Sequence, residues 1–569
     1  MYNKECRKFS ENIGRSTMKK SSYLKVLAPT VALSMILSAC SGGDDKAGDE
    51  KEKKGTAKQE VTILESSEIP TMDSVMAQDT ISFTILNNTN EGLYRLDQDQ
   101  KAVPAMAEGP AEKSEDGLTY TVKLRDAKWS NGDPVTANDF VYAWRRAADP
   151  ATASPYGPYM MSGKILNADK IAAKKAKPEE LGIKAIDEKT LEIKLVKPLP
   201  YFESLMTFGT FLPQNQKFVE SQGKDYASGS DNLLSNGPFK INGWDGAEDV
   251  DWVLEKNSEY WDANTVTMEK MNFNVQKEPQ SSLNMFQAGE ADITPKLAQA
   301  GVIAQIESDP QLVRWLEPSI FWLKLNEKHK AFANENIRRA ITMAIDKESL
   351  VNDVLKDGSK AADYFIPAEF VKDEKDQDFR AKYDGFNKYN VEEAKKLWEQ
   401  GLKEIGQKEL SLTYVGQDTD TAKLSDAYIK DQLEKNLPGI KINLKNVPFA
   451  QKLKLETALD YDILFSGWGP DYQDAMTFAD LYITDGQNNN MAYSSEKYDK
   501  YLADAGKEQD FGKYTALLQD AEKTLLEEDA ALAPLYQRTS NVLVAEKVKG
   551  FTYHTFGPEY TYKWLKVEE

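Results

Sequence analysis

Tyr120-Thr121-Val122-Lys123-Leu124-Arg125-Asp126-Ala127-Lys128-Trp129-Ser130-Asn131-Gly132-Asp133-Pro134-Val135-Thr136-Ala137-Asn138-Asp139-Phe140-Val141-Tyr142-Ala143-Trp144 carries three local instructions in one run. Tyr120, Val122 and Leu124 alternate with polar neighbours, which is the period of a half-buried strand. Asn131-Gly132-Asp133-Pro134 reads as a turn, because Gly and Pro set its backbone angles. Asn138-Asp139 then precedes an aromatic-rich amphipathic run that predicts a helix over 137–148. The same alternation of strand and helix extends outward. Strand patterns occupy 61–64, 191–195, 250–254, 271–275, 321–325, 410–415, 440–444 and 463–466. Helical patterns occupy 280–288, 335–344, 391–402, 421–436, 449–459 and 514–527, with Asn390 capping Val391-Glu392-Glu393. Strands interspersed with helices throughout indicate an α/β architecture with more than one sheet.

The 569 residues exceed what one core can organise and imply two or three domains. Apolar content of 41% places the chain among globular proteins. After Cys40 no apolar stretch approaches the roughly 20 residues of a membrane-spanning helix. The net charge of −20 disfavours nucleic acid and anionic lipid as electrostatic partners and favours solubility. His329 and His554 are the only histidines, and neither has the local setting of a zinc-peptidase helix. Both read as surface or structural residues. No Walker loop and no GxGxxG is present. No catalytic group, cofactor or metal is expected.

Leu37-Ser38-Ala39-Cys40 closes an apolar run, 26–39, that follows Lys19, Lys20 and Lys25. A basic start, an apolar centre and small residues before a cleavage point make a secretory signal. With a cysteine just after them, the segment looks like a bacterial lipobox, in which Cys40 is lipidated and becomes the mature N-terminus. Residues 1–39 are then the signal, with Met18-Lys19-Lys20 read as its natural opening and Met1 left open as an alternative start. Residues 40–60, rich in Gly, Asp, Lys and Glu, read as a flexible tether. Cys6 and Cys40 are the only cysteines, so a disulfide-free body must rest on its core. The expected location is the outer face of a cell membrane, held by lipid, with a Gram-positive surface favoured over a periplasm.

Five segments, in order, resemble the large extracellular solute-binding proteins of peptide ABC transporters. They are Glu91-Gly92-Leu93-Tyr94, the opening stretch above, Asn236-Gly237-Pro238-Phe239 with Trp244 and Asn257-Ser258-Glu259-Tyr260-Trp261, Ile337-Arg338-Arg339-Ala340-Ile341 with Ala344-Ile345-Asp346, and Gly467-Trp468-Gly469-Pro470-Asp471-Tyr472. Asp149-Pro150-Ala151-Thr152-Ala153-Ser154-Pro155-Tyr156 is similar to a segment of the oligopeptide-binding branch. The resemblance implies a two-lobed, periplasmic-binding-protein-like fold of three domains, closing on its ligand about crossover strands near Leu325 and Ser540. Domain I would comprise 61–94, 233–325 and 541–569, domain II 95–232 and domain III 326–540. Tyr260-Trp261 reads as core and Arg338-Arg339 as a helix-surface pair.

The resemblance also implies that Asp471 pairs with the free α-amino group of a bound peptide. A carboxylate in a water-poor cleft strongly prefers a cationic partner. Gly467, Trp468 and Gly469 would lie extended beside the peptide, the glycines permitting close approach. The second flanking segment corresponds to about 73–80, with Ala77 and Gln78 as contacts. Where some relatives carry an arginine for the peptide carboxylate, this chain has Phe465, so peptide length and C-terminal anchoring stay open. The expected function is a monomeric, lipid-anchored oligopeptide receptor, tolerant of sequence, that delivers to an ABC permease. Receptors of narrower cargo, such as a signalling or cell-wall peptide, and a surface peptidase stand as alternatives.

Overall fold

The computed structural model describes residues 57–486 and 488–569, so the signal, Cys40 and most of the tether lie outside the described residues. The opening stretch forms the strand Thr119–Lys123 and the helix Ala137–Ala148, joined by the expected turn. Gly132 takes the positive φ of 90° that the turn needs, and the Asn131 side chain accepts from the Asp133 amide at 3.1 Å. The helix spans the expected 137–148. Thr136 is its cap, and Asp139 reaches back to the Thr136 amide at 2.8 Å. Trp144 drops from this helix into the core and donates its indole N–H to the Phe211 carbonyl.

Three sheets organise the body. One joins Glu60–Glu65, Lys270–Val275, Asp251–Lys256 and Phe239–Asn242 in that order. A second joins Glu112–Lys113, Thr119–Lys123, Thr190–Lys194 and Ile183–Asp187. The third has six strands in the order Lys360–Ala361, Leu532–Leu543, Leu312–Leu325, Ile463–Trp468, Leu410–Gln417 and Ile440–Val447. The strands at 410, 440 and 463 run parallel, with the helices Asp420–Asn436 and Phe449–Thr457 as crossovers.

The two longest strands, Leu312–Leu325 and Leu532–Leu543, pair antiparallel from Leu312↔Leu543 to Lys324↔Leu532. Their ladder slips between Leu316 and Ile320, where Pro318 has no N–H to give. The resulting bulge carries Glu317 and Ser319 out of register.

Several of the quoted motifs meet at one buried carboxylate. Glu91, 2% exposed, accepts from Arg95 Nη1 at 2.8 Å, from Tyr260 Oη at 2.7 Å and from the Trp261 indole. Its backbone exchanges two hydrogen bonds with the Asn236 amide group. Gly237 follows, packed so closely on Thr89 and Asn90 that a Cβ would sit 2.8 Å from the backbone there. Tyr260 is core, as expected. Arg338 is not a surface residue. It is buried and donates to the carbonyls of Phe332, Asp529 and Ala530, tying its helix to the segment before Leu532–Leu543. His554 is structural, held between Gln100 Oε1 and Thr561 Oγ1, and burial, aided by Arg95, pushes its imidazole down to about 3.

Removing the Glu91 carboxylate leaves Arg95 charged and unpaired in the core, where the loss is about 3–5 kcal/mol. Equilibrium urea unfolding of Glu91→Ala should show that drop as a lower midpoint, with a smaller drop for Glu91→Gln.

Candidate functional site

Ile463–Trp468 lies inside the six-stranded sheet, paired with Leu312–Leu325 on one side and Leu410–Gln417 on the other. Gly467 faces Phe321 in the ladder, and Trp468 faces Ile320. The strand stops at Trp468, and Gly469-Pro470 carry the chain out of the sheet. Asp471 follows immediately, its amide bonded to Thr477 Oγ1.

Asp471 is 8% exposed. Its Oδ2 accepts from the Tyr159 hydroxyl at 2.9 Å, and Tyr159 also stands edge-on to Trp468. Among the described residues no lysine or arginine forms an ion pair with it. Burial raises the carboxyl to about 7, Asp480 adds to the rise, and the Tyr159 hydroxyl and Lys164 oppose it. A carboxylate served by a neutral phenol and held at this value is poised for a cation. Tyr159 comes from the other face of the cleft, on the short helix Gly157–Met161. The same two faces meet again where Tyr201 stacks on Tyr472 at 4.5 Å and where Ser204 Oγ accepts from the Gln473 amide.

Asp471, Gly469 and Gln78 border one polar cavity of about 250 Å³. The same cavity is lined by Glu317 and Ser319 from the bulge, with Lys296 and Arg538. Glu317 accepts from Lys296 Nζ at 2.6 Å, from Arg538 Nε at 2.8 Å and from the Ser540 hydroxyl. Burial opposes its charge, but Arg538 and Lys296 override that and hold its carboxyl well below the usual range. A larger groove of about 900 Å³ opens beyond Gln473. Its buried acid, Asp474, is already satisfied by Tyr514 and the Met476 amide, so the reactive carboxylate belongs to the smaller cavity.

The other residues singled out in the sequence are placed as follows. Phe465 and Trp468 lie on the strand leading to the cavity, and Phe465 stacks on Phe321. Gly467 has a reason to be glycine within its own sheet: a Cβ there would stand 2.5 Å from the Phe321 ring. Ala77 is fully buried and presents no surface to the cavity in this conformation. Tyr159, Glu317, Ser319, Lys296 and Arg538 were not anticipated. Pro318, three residues before the strand pattern 321–325, was the signal available for Glu317 and Ser319. Tyr159 lies three residues beyond the segment ending at Tyr156.

The family described as bacterial extracellular solute-binding proteins, family 5 middle, matches residues 101–490. The oligopeptide-binding protein OppA of Bacillus subtilis strain 168 is 33% identical over 534 residues, covering 91% of this chain and 94% of that protein. The dipeptide-binding protein of Lactococcus lactis subsp. cremoris is 31% identical over 562 residues, covering 96% and 99%. The solved structure of Listeria monocytogenes OppA bound to peptide superposes with a TM-score of 0.78 at 43% identity, covering 90% of this chain and all of that one.

Gly467→Ala forces Phe321 off its stack on Phe465 and Tyr536 and should lower stability by about 1–3 kcal/mol. Thermal unfolding should register the loss and show it reduced in the double variant Gly467→Ala/Phe321→Leu.

Proposed function

The chain belongs to the bacterial extracellular solute-binding proteins of family 5, and from that membership and the cavity's chemistry we propose that it captures oligopeptides and delivers them to an ABC peptide permease. The observation that carries this reading is Asp471: buried, next to a cleft between two faces of the molecule, and without a cation of its own. A peptide's α-ammonium supplies that cation and displaces the Tyr159 hydroxyl from the carboxylate. The peptide backbone then follows Gly469 toward Trp468, with Gln78 opposite. Side chains enter hydrated space where water adapts the fit, which makes recognition tolerant of sequence. The binding step uses no bond-making chemistry.

In this reading domain I combines 61–94, 233–325 and 541–569, domain II is 95–232 and domain III is 326–540. The sheet linking Glu60–Glu65 to Phe239–Asn242, Asp251–Lys256 and Lys270–Val275 supports the first grouping. The sheet confined to 112–194 supports the second. Closure turns on Leu312–Leu325 and Leu532–Leu543, the two strands that link the first part of the body to the last sheet. Lipidation at Cys40 would hold the receptor to the outer membrane face, where two acyl chains suffice for stable anchoring.

Calorimetry on one tripeptide, with a free and an acetylated N-terminus, tests the amine contact in the wild type and Asp471→Asn. Each change alone should weaken binding by about 2–4 kcal/mol. The two together should cost no more than either, since both remove the same pair. Full affinity for the acetylated peptide would refute the contact.

The raised carboxyl also sets a pH dependence. Below about 7 the free receptor holds a proton on Asp471 that binding must expel, so affinity falls toward acid. Above roughly 8 the peptide amine loses its own proton, so affinity falls toward base. Binding should therefore peak between these limits, and at pH 6 the heat should vary with buffer ionisation enthalpy as a proton is released.

A further inference from the structure

A second cavity, of about 320 Å³, backs onto the first and shares with it the residues Asp79, Thr80, Lys296 and Glu559. Its far wall holds Glu65, at the end of the strand Glu60–Glu65, and Tyr560 and Tyr562. Among the described residues, three features of this lining leave polar groups without a partner. The hydroxyls of Tyr560 and Tyr562 are buried without a hydrogen-bond partner, on residues 6% and 1% exposed. Asp79 caps the helix Thr80–Thr89 through Oδ1, while its Oδ2 is buried and unpartnered. Among the described residues Glu65 forms no ion pair, and its charged neighbours there are Glu559 and Lys296.

The charges do not balance. Glu65, Asp79 and Glu559 face one lysine, and Lys296 is already shared between Glu559 and Glu317. Burial raises Glu65 to about 8, Glu559 adds to this and Lys296 opposes it, so the carboxyl is short of positive charge. The tyrosine rings, Ile63, Ile81 and Pro70 give the lining an apolar part, beside the hydroxyls of Ser66, Ser67 and Thr294. Acceptors beside apolar walls suit an alkyl stem with a charged tip.

We infer that this cavity is a subsite for a cationic side chain, lysine or arginine, at one of the first two positions of the bound peptide, with Glu65 and Tyr562 receiving its charged end. The inference rests on the proposed peptide reading, because it is the amine at Asp471 that brings those two residues to the shared wall. It makes the receptor selective at one position while the rest of the peptide is read through its backbone.

The test is calorimetry with Lys-Ala-Ala, Ala-Lys-Ala and their norleucine counterparts on wild type, Glu65→Gln and Tyr562→Phe, each checked for folding by circular dichroism. At one of the two positions lysine should bind about tenfold tighter than norleucine. That advantage should vanish in Glu65→Gln and fall about threefold in Tyr562→Phe, with norleucine peptides unaffected. Norleucine binding as well as lysine at both positions, or a lysine advantage that survives Glu65→Gln, would overturn the subsite and leave the peptide reading standing. Glu65-dependent binding of free 1,5-diaminopentane alongside peptide would assign the cavity to a free organic cation instead. Failure of all four peptides to bind wild type would overturn the peptide reading and the subsite with it.

Discussion

A proline in the middle of a long strand is the constraint on which the site depends. Pro318 gives no N–H to the ladder between Leu312–Leu325 and Leu532–Leu543, so the pairing slips there and resumes at Ile320↔Gln537. The slip leaves Glu317 buried and in need of partners, and Lys296 from one segment and Arg538 and Ser540 from the strand Leu532–Leu543 converge on it. Ser319, turned by the same bulge, sits 3.1 Å from where a Gly469 side chain would begin. The approach of Gly469 to the bulge sets the path of the chain into Pro470 and Asp471. One missing hydrogen bond thus positions both the cation clamp and the carboxylate opposite it.

The two acids of the cavity illustrate how environment divides identical chemistry. Glu317 is saturated with cations and donors and stays ionised. Asp471, equally buried, has a phenol and is held near neutrality. The first is structural, because removing it takes the ion-pair partner from Arg538 and leaves Lys296 with Glu559 alone. The second has no ion-pair partner among the described residues, so a cation placed beside it would favour its charged form.

Local patterns made most of the fold legible, since its helices announce themselves by spacing and caps. Val391–Ile405 begins at Asn390, whose side chain takes the Glu393 amide, and ends at Gly406 with φ 70°. The strand Leu532–Leu543 was not legible. It is buried on both faces, so it lacks alternation, and Pro534 with the run Gln537 to Asn541 makes it read as a loop. Gln537, Thr539 and Asn541 are buried because they bond across the bulge and to the chain near 357–368, which no local window can show. The site was half legible for the same reason. Asp471 and its glycines lie in one short motif, whereas Tyr159, Lys296 and Arg538 reach the cleft from segments far apart in sequence. Gly467 shows the opposite limit: its place was readable, but the ring that excludes a Cβ there was not.

The first described strand pairs in parallel with Lys270–Val275, and Gln59, just before it, exchanges hydrogen bonds with the backbone of Val567. A chain that emerges amino end first therefore presents Glu60–Glu65 to its surroundings long before either neighbour exists. Its sheet waits for residues 270–275 and the Gln59 contact waits for the carboxyl end, and such distant pairing is slow. The order of synthesis and the order of assembly run opposite ways. That opposition delays completion of the fold until the last residues have been made.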